Sequence, residues 1–141
     1  MVVLPQPNRE DFENLLAFRV SLRRFQHWSE QQAGAVGLTH VQHQLLVAIK
    51  GHPGDTAPTV GDLADYLMLR HHSAVELVNR AEAAGFVRRS PDGEDARVVR
   101  VELTENGDRL VTELTEAHLA ELRKLAGALN DLVDGSAPAG R

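Results

Sequence analysis

An arginine set among acids, in the stretch PDGEDARVVRVELTENG (residues 91–107), is the feature of this sequence best suited to bind a charged partner. A Pro-Asp-Gly turn is followed by Glu94, Asp95 and Arg97. Because Asp95 and Arg97 are two residues apart, they lie on the same side of an extended segment. The carboxylate can then hold the guanidinium in one orientation through a bidentate pair. Such a pair orients the cation rather than cancelling it, so the segment is suited to present Arg97 to an anion.

The residues on both sides of this turn predict a hairpin. GFVRRS (85–90) is short, β-prone and basic, and residues 99–103 alternate apolar and polar side chains before a stop at Thr104. Two strands this short, joined by a polar loop, bury little surface. The hairpin is therefore expected to serve a purpose beyond core packing.

Most of the chain is predicted to be helical, because apolar residues recur at intervals of three and four. Thr39 with Gln42, and Thr59 with Asp62, have the spacing of capping boxes that begin helices. Gly85 is placed to end a helix. The predicted helices cover residues 11–34, 39–51, 59–67, 70–84 and 105–134.

Two features of the last helix, 105–134, are expected from its sequence. His118 falls on the same apolar stripe as the leucines, which is more typical of a core histidine or a proton-sensitive one than of a metal ligand. Gly127 is expected to break the helix. The segment beyond it, 135–141, is rich in small residues and is predicted to be a flexible tail.

Composition limits the kinds of protein this can be. With 141 residues, of which 43% are hydrophobic and 25% charged, the chain has the size and balance of one globular domain, or of one subunit that needs a partner. It contains no cysteine, which excludes disulfides, thiolate zinc sites and thiol-based redox sensing. No apolar run approaches the ~20 residues of a membrane helix, and the first residues lack the pattern of a signal peptide. A cytoplasmic location is therefore expected.

Charge is unevenly distributed along the chain. The formal net charge is −5, which by itself argues against a polyanionic partner. Residues 66–100, however, carry six basic and five acidic side chains, a balance of +1, and also contain His71 and His72. Residues 1–65 sum to −2 and residues 101–141 to −4. The acidity therefore lies mainly outside the segment that contains most of the hairpin.

The order short helix, turn, helix, hairpin is that of a winged helix-turn-helix. In this fold the second helix of the motif presents its N-terminal residues to base edges in the major groove. A basic hairpin beside it can follow phosphates or enter the narrower minor groove, where negative potential attracts arginine. The DNA contacts predicted on this basis are Arg70, His71, His72, Ser73, Arg80, Arg88, Arg89, Asp95 and Arg97. Asp95 is included because it orients Arg97, and Glu76 is interpreted as capping support for Ser73.

The stretch TVGDLADYL…HHSAVELVNRAEAAGFVRRSPDGEDARVVRVELTENG (59–107) resembles the winged helix-turn-helix of the MarR family of transcriptional regulators. The matching features are LADYL in the third helix, GFVRR after the fourth, the Asp-x-Arg of Asp95 and Arg97, and the closing LT-x-x-G of Leu103, Thr104 and Gly107. The resemblance covers nearly the whole chain, since the flanking long helices also fit in place and length. One departure is Ala81, where the family usually has leucine, and it implies looser packing behind the recognition helix.

The resemblance implies an obligate homodimer on a near-palindromic DNA operator, usually repressing genes and released by a small ligand or an oxidant. The residues support the dimer independently, because the apolar stripes of the terminal helices have no other partner in so short a chain. Two-fold symmetry would place the two recognition helices about one DNA turn, ~34 Å, apart. Since thiol chemistry is excluded, release by a ligand is expected.

In proteins similar to this one, a ligand pocket lies between the dimerisation helices and the DNA-binding lobe. The matching elements of this chain offer Phe25 and Trp28 as apolar walls. Arg24, His27 and His43 are the expected partners for a phenolic or other aromatic anion. The alternative is that both aromatic residues belong to the core.

Other functions have less support in the sequence. Seven histidines allow a metal-responsive regulator, since His40 and His43 share a helix face and His71 adjoins His72, but no cysteine or carboxylate cluster completes a metal site. No nucleophile–base pair, phosphate-binding glycine loop or paired carboxylates indicates an enzyme, and no cofactor is expected. The third interpretation is a winged-helix protein-interaction module that does not bind DNA.

Overall fold

The structure of the chain, a computed structural model, describes residues 5–134. Its helices and strands are α1 (Arg9–Ala35), α2 (His40–Gly51), α3 (Val60–Leu67), α4 (His71–Ala83), β1 (Val87–Pro91), β2 (Val99–Leu103) and α5 (Glu105–Asp134). The predicted fold class, mainly helical with a two-stranded hairpin in winged helix-turn-helix order, is confirmed. The tail predicted to be flexible lies outside the described residues.

The chain divides into two compact units. One consists of residues 32–115, which include α2, α3, α4 and the hairpin, and we call it the winged lobe. The other consists of residues 1–31 and 116–141, whose described part belongs mainly to α1 and α5, and we call it the terminal-helix unit. All of the predicted DNA contacts fall in the winged lobe.

The core of the winged lobe is built from the apolar positions that the helical spacing predicts. Its fully buried side chains include Leu45 and Leu46 on α2, Leu63 on α3, Val78 on α4 and Val101 on β2. Burying a side chain of this size contributes about 1.5–3 kcal/mol relative to leaving it in water. This cluster therefore fixes how the short helices and the hairpin pack around one another.

Reciprocal side-chain bonds begin α2 and α3, as predicted. The hydroxyl of Thr39 accepts from the backbone N–H of Gln42 at 3.1 Å, and the Gln42 side chain accepts from the backbone N–H of Thr39 at 3.0 Å. Thr59 and Asp62 form the same arrangement at α3, with bonds of 3.1 and 2.9 Å. The hydrogen bond donated by the Thr59 backbone lowers the pKa of Asp62 below its ordinary value of 3.8.

A third capping box, which was not predicted, lies at the start of α1. The backbone N–H of Asn8 donates to the Asp11 carboxylate at 2.8 Å, and the backbone N–H of Asp11 donates to the Asn8 side chain at 2.9 Å. Helix α1 therefore begins at Arg9, two residues before its expected start. It ends at Ala35, followed by Gly37 with a left-handed φ of +85°.

Helix α3 ends without the glycine that such a turn favours. Met68 takes the left-handed conformation, with φ +55°, and the N–H of Leu69 donates to the carbonyl of Ala64 at 2.9 Å. The connection between α3 and α4 is therefore three residues long, from Met68 to Arg70. Helix α4, in contrast, is followed by the predicted Gly85, with φ +85°.

The hairpin is fastened on both edges of β2. Val87 lies opposite Leu103 and Arg89 opposite Val101 in the antiparallel pair. On the other edge, the backbone N–H of Val101 donates to the carbonyl of Pro58 at 2.9 Å. The hairpin is thus tied to the segment that leads into α3.

The LT-x-x-G sequence joins β2 to α5. The Thr104 hydroxyl donates to the carbonyl of Gly85 at 2.6 Å and accepts from the backbone N–H of Gly107 at 3.1 Å. Gly107 is buried against the backbone of Phe86, at a distance that leaves no room for a side chain. The spacing of threonine and glycine therefore closes the first turn of α5 onto the chain that follows α4.

In one copy of the chain, the terminal-helix unit exposes several apolar side chains to solvent. Phe12 and Leu16 on α1 are largely exposed, as are Leu119 and Val133 on α5. The break predicted at Gly127 is wrong, because α5 is one helix of 30 residues. A glycine costs a helix only about 1 kcal/mol relative to alanine, which is too little to interrupt one of this length.

Candidate nucleic-acid interface

The first turn of α4 is open to solvent. Arg70 is the N-cap residue, and no described side chain caps the helix. His71 and His72 are exposed, and Ser73 is half-buried one position further on. The interpretation of Glu76 as capping support for Ser73 is wrong, because the helix begins before Ser73. Free backbone N–H groups and the helix dipole make this end of α4 positive, which suits it to phosphate.

The rest of the exposed face of α4 presents Glu76, Asn79 and Arg80, while Ala74, Leu77, Val78 and Ala81 are buried. Asn79 was not among the predicted contacts. The sequence does indicate it, because Asn79 lies three residues after Glu76 and seven after His72, and such positions share one helix face. Exposed amides on such a face are side chains that recognise base edges.

Asp95 and Arg97 form the pair that their spacing predicts. Arg97 Nε donates to Asp95 Oδ1 at 3.2 Å and Nη2 donates to Oδ2 at 3.4 Å, while the Arg97 backbone N–H donates to Oδ1 at 3.0 Å. These bonds, from the side chain first and the backbone second, lower the pKa of Asp95 below its ordinary value. The Arg97 side chain is 91% exposed, so its guanidinium is oriented and still open to a ligand.

Arg88 and Arg89 are neighbours on β1 with different surroundings. Arg88 is exposed and pairs with its cross-strand partner Glu102 at 3.1 Å. Arg89 reaches α4, where Nη1 donates to Glu82 at 2.7 Å and Nη2 donates to Asn79 at 2.6 Å. Glu82 also accepts from the backbone N–H of Arg89 at 3.1 Å. The guanidinium of Arg89 is therefore held within the protein.

Arg100, which the sequence analysis did not select, supports the wing loop. Its Nε donates to Asp92 at 3.2 Å and its Nη1 donates to the carbonyl of Ala57 at 2.9 Å. Asp92 also accepts from the backbone N–H of Asp95 at 3.1 Å. Arg100 thus connects the segment before α3 to the loop that carries Arg97. The only signal for it in the sequence is a charge among alternating apolar residues.

A groove of about 430 Å³ in the winged lobe brings three predicted contacts together. Its lining includes His71 from α4, Arg89 from β1 and Arg97 from the wing loop. The groove therefore joins the first turn of α4 to the wing. The predicted contacts that do not line it are Arg70, His72, Ser73, Arg80, Arg88 and Asp95.

Cations without an acid partner are few in the winged lobe. Residues 32–115 contain eight Lys and Arg and twelve Asp and Glu, a balance of −4. Among the described residues, no carboxylate lies within 4.0 Å of the guanidinium of Arg70 or Arg80. These two arginines flank the exposed face of α4. Positive charge is therefore available at α4 and at the exposed Arg97, although the lobe as a whole is acidic.

Four of the five predicted ligand-binding residues line two cavities in the terminal-helix unit. Arg24, Phe25 and Trp28 line a cavity of about 290 Å³ together with residues of α5. Arg24, His27 and Trp28 line another of about 440 Å³. His43 is buried on α2, in the winged lobe, and lines neither cavity.

His118 is a core histidine, as predicted. It is buried, its Nε2 lies 2.7 Å from the Ser29 hydroxyl, and its ring centre is 4.7 Å from that of Trp28 and 5.8 Å from that of Phe25. The two aromatic residues therefore pack against a buried group and also line the cavities. Being part of the core and forming a pocket wall are compatible for these side chains.

Within residues 5–134, no three histidine, aspartate or glutamate side chains are arranged to hold a metal ion. His71 and His72 are exposed, whereas His43 is buried. None of the described helices combines the length and the apolar character needed to cross a membrane.

Comparison with known proteins points to one family. A family model described as MarR family matches residues 36–98. The transcriptional activatory protein BadR of Rhodopseudomonas palustris is 34% identical over 106 residues, which cover 71% of this chain and 61% of BadR. The chain spans between 51% and 71% of the length of the curated regulators that it matches.

Solved structures share the fold. AbsC, a MarR family transcriptional regulator from Streptomyces coelicolor, matches with a TM-score of 0.70 and 24% identity, over 96% of this chain and 94% of AbsC. A complex of S. aureus MepR with DNA matches with a TM-score of 0.67 and 23% identity, over 78% of this chain and 80% of that chain. At these identities the likeness concerns the fold.

Proposed function

The chain belongs to the MarR family of transcriptional regulators, and from this premise we propose that it is a homodimeric, sequence-specific DNA-binding regulator. We further propose that it represses genes and that a small aromatic anion releases it from its operator. A chromosomal partner would place the protein in the cytoplasm.

The observation that carries the proposal is the arrangement of cations on the winged lobe. The open N-terminus of α4 presents His71, and the wing presents Arg97 in an orientation fixed by Asp95. One groove connects these elements. A positive helix end suits the major groove, and an oriented arginine beside it suits the adjacent minor groove. The MepR complex, a relative in fold that is bound to DNA, supports the same assignment.

The proposed contacts differ in their roles. His71, His72 and Ser73 are assigned to base edges and to the phosphate at the helix end. Arg70, Arg80 and Arg88 are assigned to phosphates, since Arg70 and Arg80 have exposed and unneutralised charge. Arg97 is assigned to the minor groove, with Asp95 as its support.

A second copy is the proposed cover for the exposed apolar side chains of the terminal helices. Phe12, Leu16, Leu119 and Val133 would each leave water on dimerisation. Burial of side chains of this type contributes about 25 cal/mol per Å² of apolar surface. A two-fold dimer would then present two recognition helices to one face of the DNA.

The cavities beside Trp28 support the ligand proposal. Their volumes, about 290 and 440 Å³, are in the range of small-molecule sites. Arg24 lines both cavities and supplies a cation for a carboxylate. A ligand that binds one dimer geometry better than another would shift the spacing of the recognition helices away from one DNA turn.

Selection from a random duplex library at physiological salt tests the DNA-binding proposal. The wild-type protein should enrich a pseudo-palindrome whose half-sites are about one turn apart. Arg97→Ala should enrich the same site weakly. Arg109→Ala is the matched control, because Arg109 is also exposed and paired with a nearby carboxylate, on α5. If the wild-type protein enriches no sequence, the proposed function is wrong.

A further inference from the structure

Arg89 forms a junction between the hairpin and α4. Its side chain is 28% exposed, against 91% for Arg97. Three hydrogen bonds hold it: Nη1 to Glu82 at 2.7 Å, Nη2 to Asn79 at 2.6 Å, and the backbone N–H to Glu82 at 3.1 Å. A side chain held in this way is better placed to fix its partners than to reach a phosphate.

The junction determines how Asn79 presents its amide. A guanidinium has only donors, so the Asn79 atom that faces Arg89 is the carbonyl oxygen. The amide nitrogen, which can only donate, is therefore directed away from Arg89. Glu82 also accepts from the guanidinium, through Nη1, so the guanidinium cannot move far from Asn79 without losing that bond.

Asn79 also lies where a base could be reached. It is exposed on α4, on the same face as His72 and Glu76. On the proposed function, that face enters the major groove. An asparagine with a free amide favours adenine, accepting from N6 and donating to N7. With its oxygen turned to Arg89, Asn79 offers two N–H groups instead, and guanine presents two acceptors, N7 and O6.

We propose that Asn79 recognises a guanine as a hydrogen-bond donor, and that Arg89 is the positioning residue that sets this orientation. The proposal rests on the proposed DNA-binding function and adds the identity of a recognised base. Because Glu82 balances the charge of Arg89, the arginine adds little free positive charge to the interface. Its role should therefore show in base preference and not in the dependence of binding on salt.

The experiment uses the duplex enriched by the wild-type protein and a set in which each base pair is replaced singly. Affinities are measured by fluorescence anisotropy for the wild-type protein, Asn79→Asp, Arg89→Met and the control Arg88→Met. The wild-type protein should prefer guanine to adenine at one position per half-site by about tenfold, the scale of one bidentate base contact. Asn79→Asp keeps an acceptor for Arg89 but loses the donor, so this preference should fall to within about twofold, with the other positions unchanged.

Arg89→Met frees the amide, and the preference at the same position should move toward adenine with an unchanged salt slope. Arg88→Met removes a proposed phosphate contact, so it should weaken binding of all the duplexes alike and leave the preference for guanine as in the wild-type protein. A full guanine preference in Asn79→Asp would overturn the proposal, as would a reduced salt slope in Arg89→Met with unchanged base preference. If circular dichroism shows that Arg89→Met does not fold, the base preference of Asn79→Asp decides whether the proposal holds. A wild-type protein that selects no sequence would instead contradict the proposed function itself.

Discussion

Gly107→Ala is predicted to destabilise the winged lobe, because the added methyl group has no room. A Cβ at this position would lie 3.0 Å from the carbonyl carbon of Phe86 and 3.3 Å from its Cα, and closer still to its carbonyl oxygen. Favourable contacts between carbon atoms are at about 3.5–4.0 Å. The obstacle is backbone, and the Phe86 carbonyl is itself held by the backbone N–H of Thr104 at 3.0 Å. It cannot give way by a change of rotamer.

The expected magnitude follows from this geometry. Overpacking a core costs about 1–3 kcal/mol even where side chains can adjust. Here the chain between α4 and β1 must shift, so the cost lies at or above the upper end of that range. Alanine regains about 1 kcal/mol over glycine in a helix, which offsets part of the loss. We expect the free energy of unfolding to fall by about 2–3 kcal/mol.

Gly127→Ala is the matched control, since it makes the same substitution in the same helix. A Cβ at Gly127 would meet nothing within 4 Å among the described residues. This variant should be more stable than the wild-type protein by about 0.5–1 kcal/mol. Urea unfolding followed by circular dichroism, at one protein concentration because a dimer is expected, gives both values. If the two variants unfold at the same midpoint, the packing argument at Gly107 is refuted.

Four further predictions concern binding, assembly, control and acid stability. Arg97→Ala should weaken binding of the selected duplex by about 1–3 kcal/mol without changing the circular dichroism spectrum, and an unchanged affinity would remove the wing from the interface. Light scattering at micromolar concentration should give twice the 15.5 kDa mass of the chain, and a monomer mass would contradict the dimer. Salicylate should change the fluorescence of Trp28, the single tryptophan, while releasing the duplex. If salicylate releases the duplex and Trp28→Phe binds salicylate with the affinity of the wild-type protein, the ligand binds elsewhere. Folding lowers the pKa of Asp62, so the ionised carboxylate stabilises the folded protein above pH 3.8, the ordinary pKa of the group. This stabilisation is lost as pH falls through the lowered pKa. Asp62→Asn should therefore make the free energy of unfolding less sensitive to pH in that range.

The sequence predicted the features that depend on neighbouring residues. The starts of α2 and α3 follow from capping boxes whose two side chains are three positions apart, and the Asp95–Arg97 pair follows from two positions on one extended segment. The left-handed turn at Met68 could not be predicted in this way. Met68 adopts this conformation in the connection between α3 and α4 although it is not a glycine, so no residue type marks the turn in the sequence.

The junction around Arg89 was missed for a related reason. Arg88 and Arg89 are adjacent on β1, so strand alternation places them on opposite faces, but only the packing of β1 against α4 brings Arg89 to Asn79. The bond from Arg100 to the Ala57 carbonyl likewise joins residues 43 positions apart. Side-chain direction between elements depends on tertiary packing, which periodicity does not contain.

The dependence of duplex affinity on salt is the most direct test that an acidic chain binds DNA through a few exposed cations. The measurement is the affinity of the wild-type protein for its selected duplex between 50 and 200 mM KCl. We predict a linear fall of log affinity with log salt, with a slope of about −0.9 per phosphate contacted. Arg80→Ala, which removes a proposed phosphate contact, should reduce the magnitude of the slope by about 2, one contact for each protomer of the dimer. An affinity that does not change with salt, or that is equal for the selected and a scrambled duplex, would contradict the proposed function.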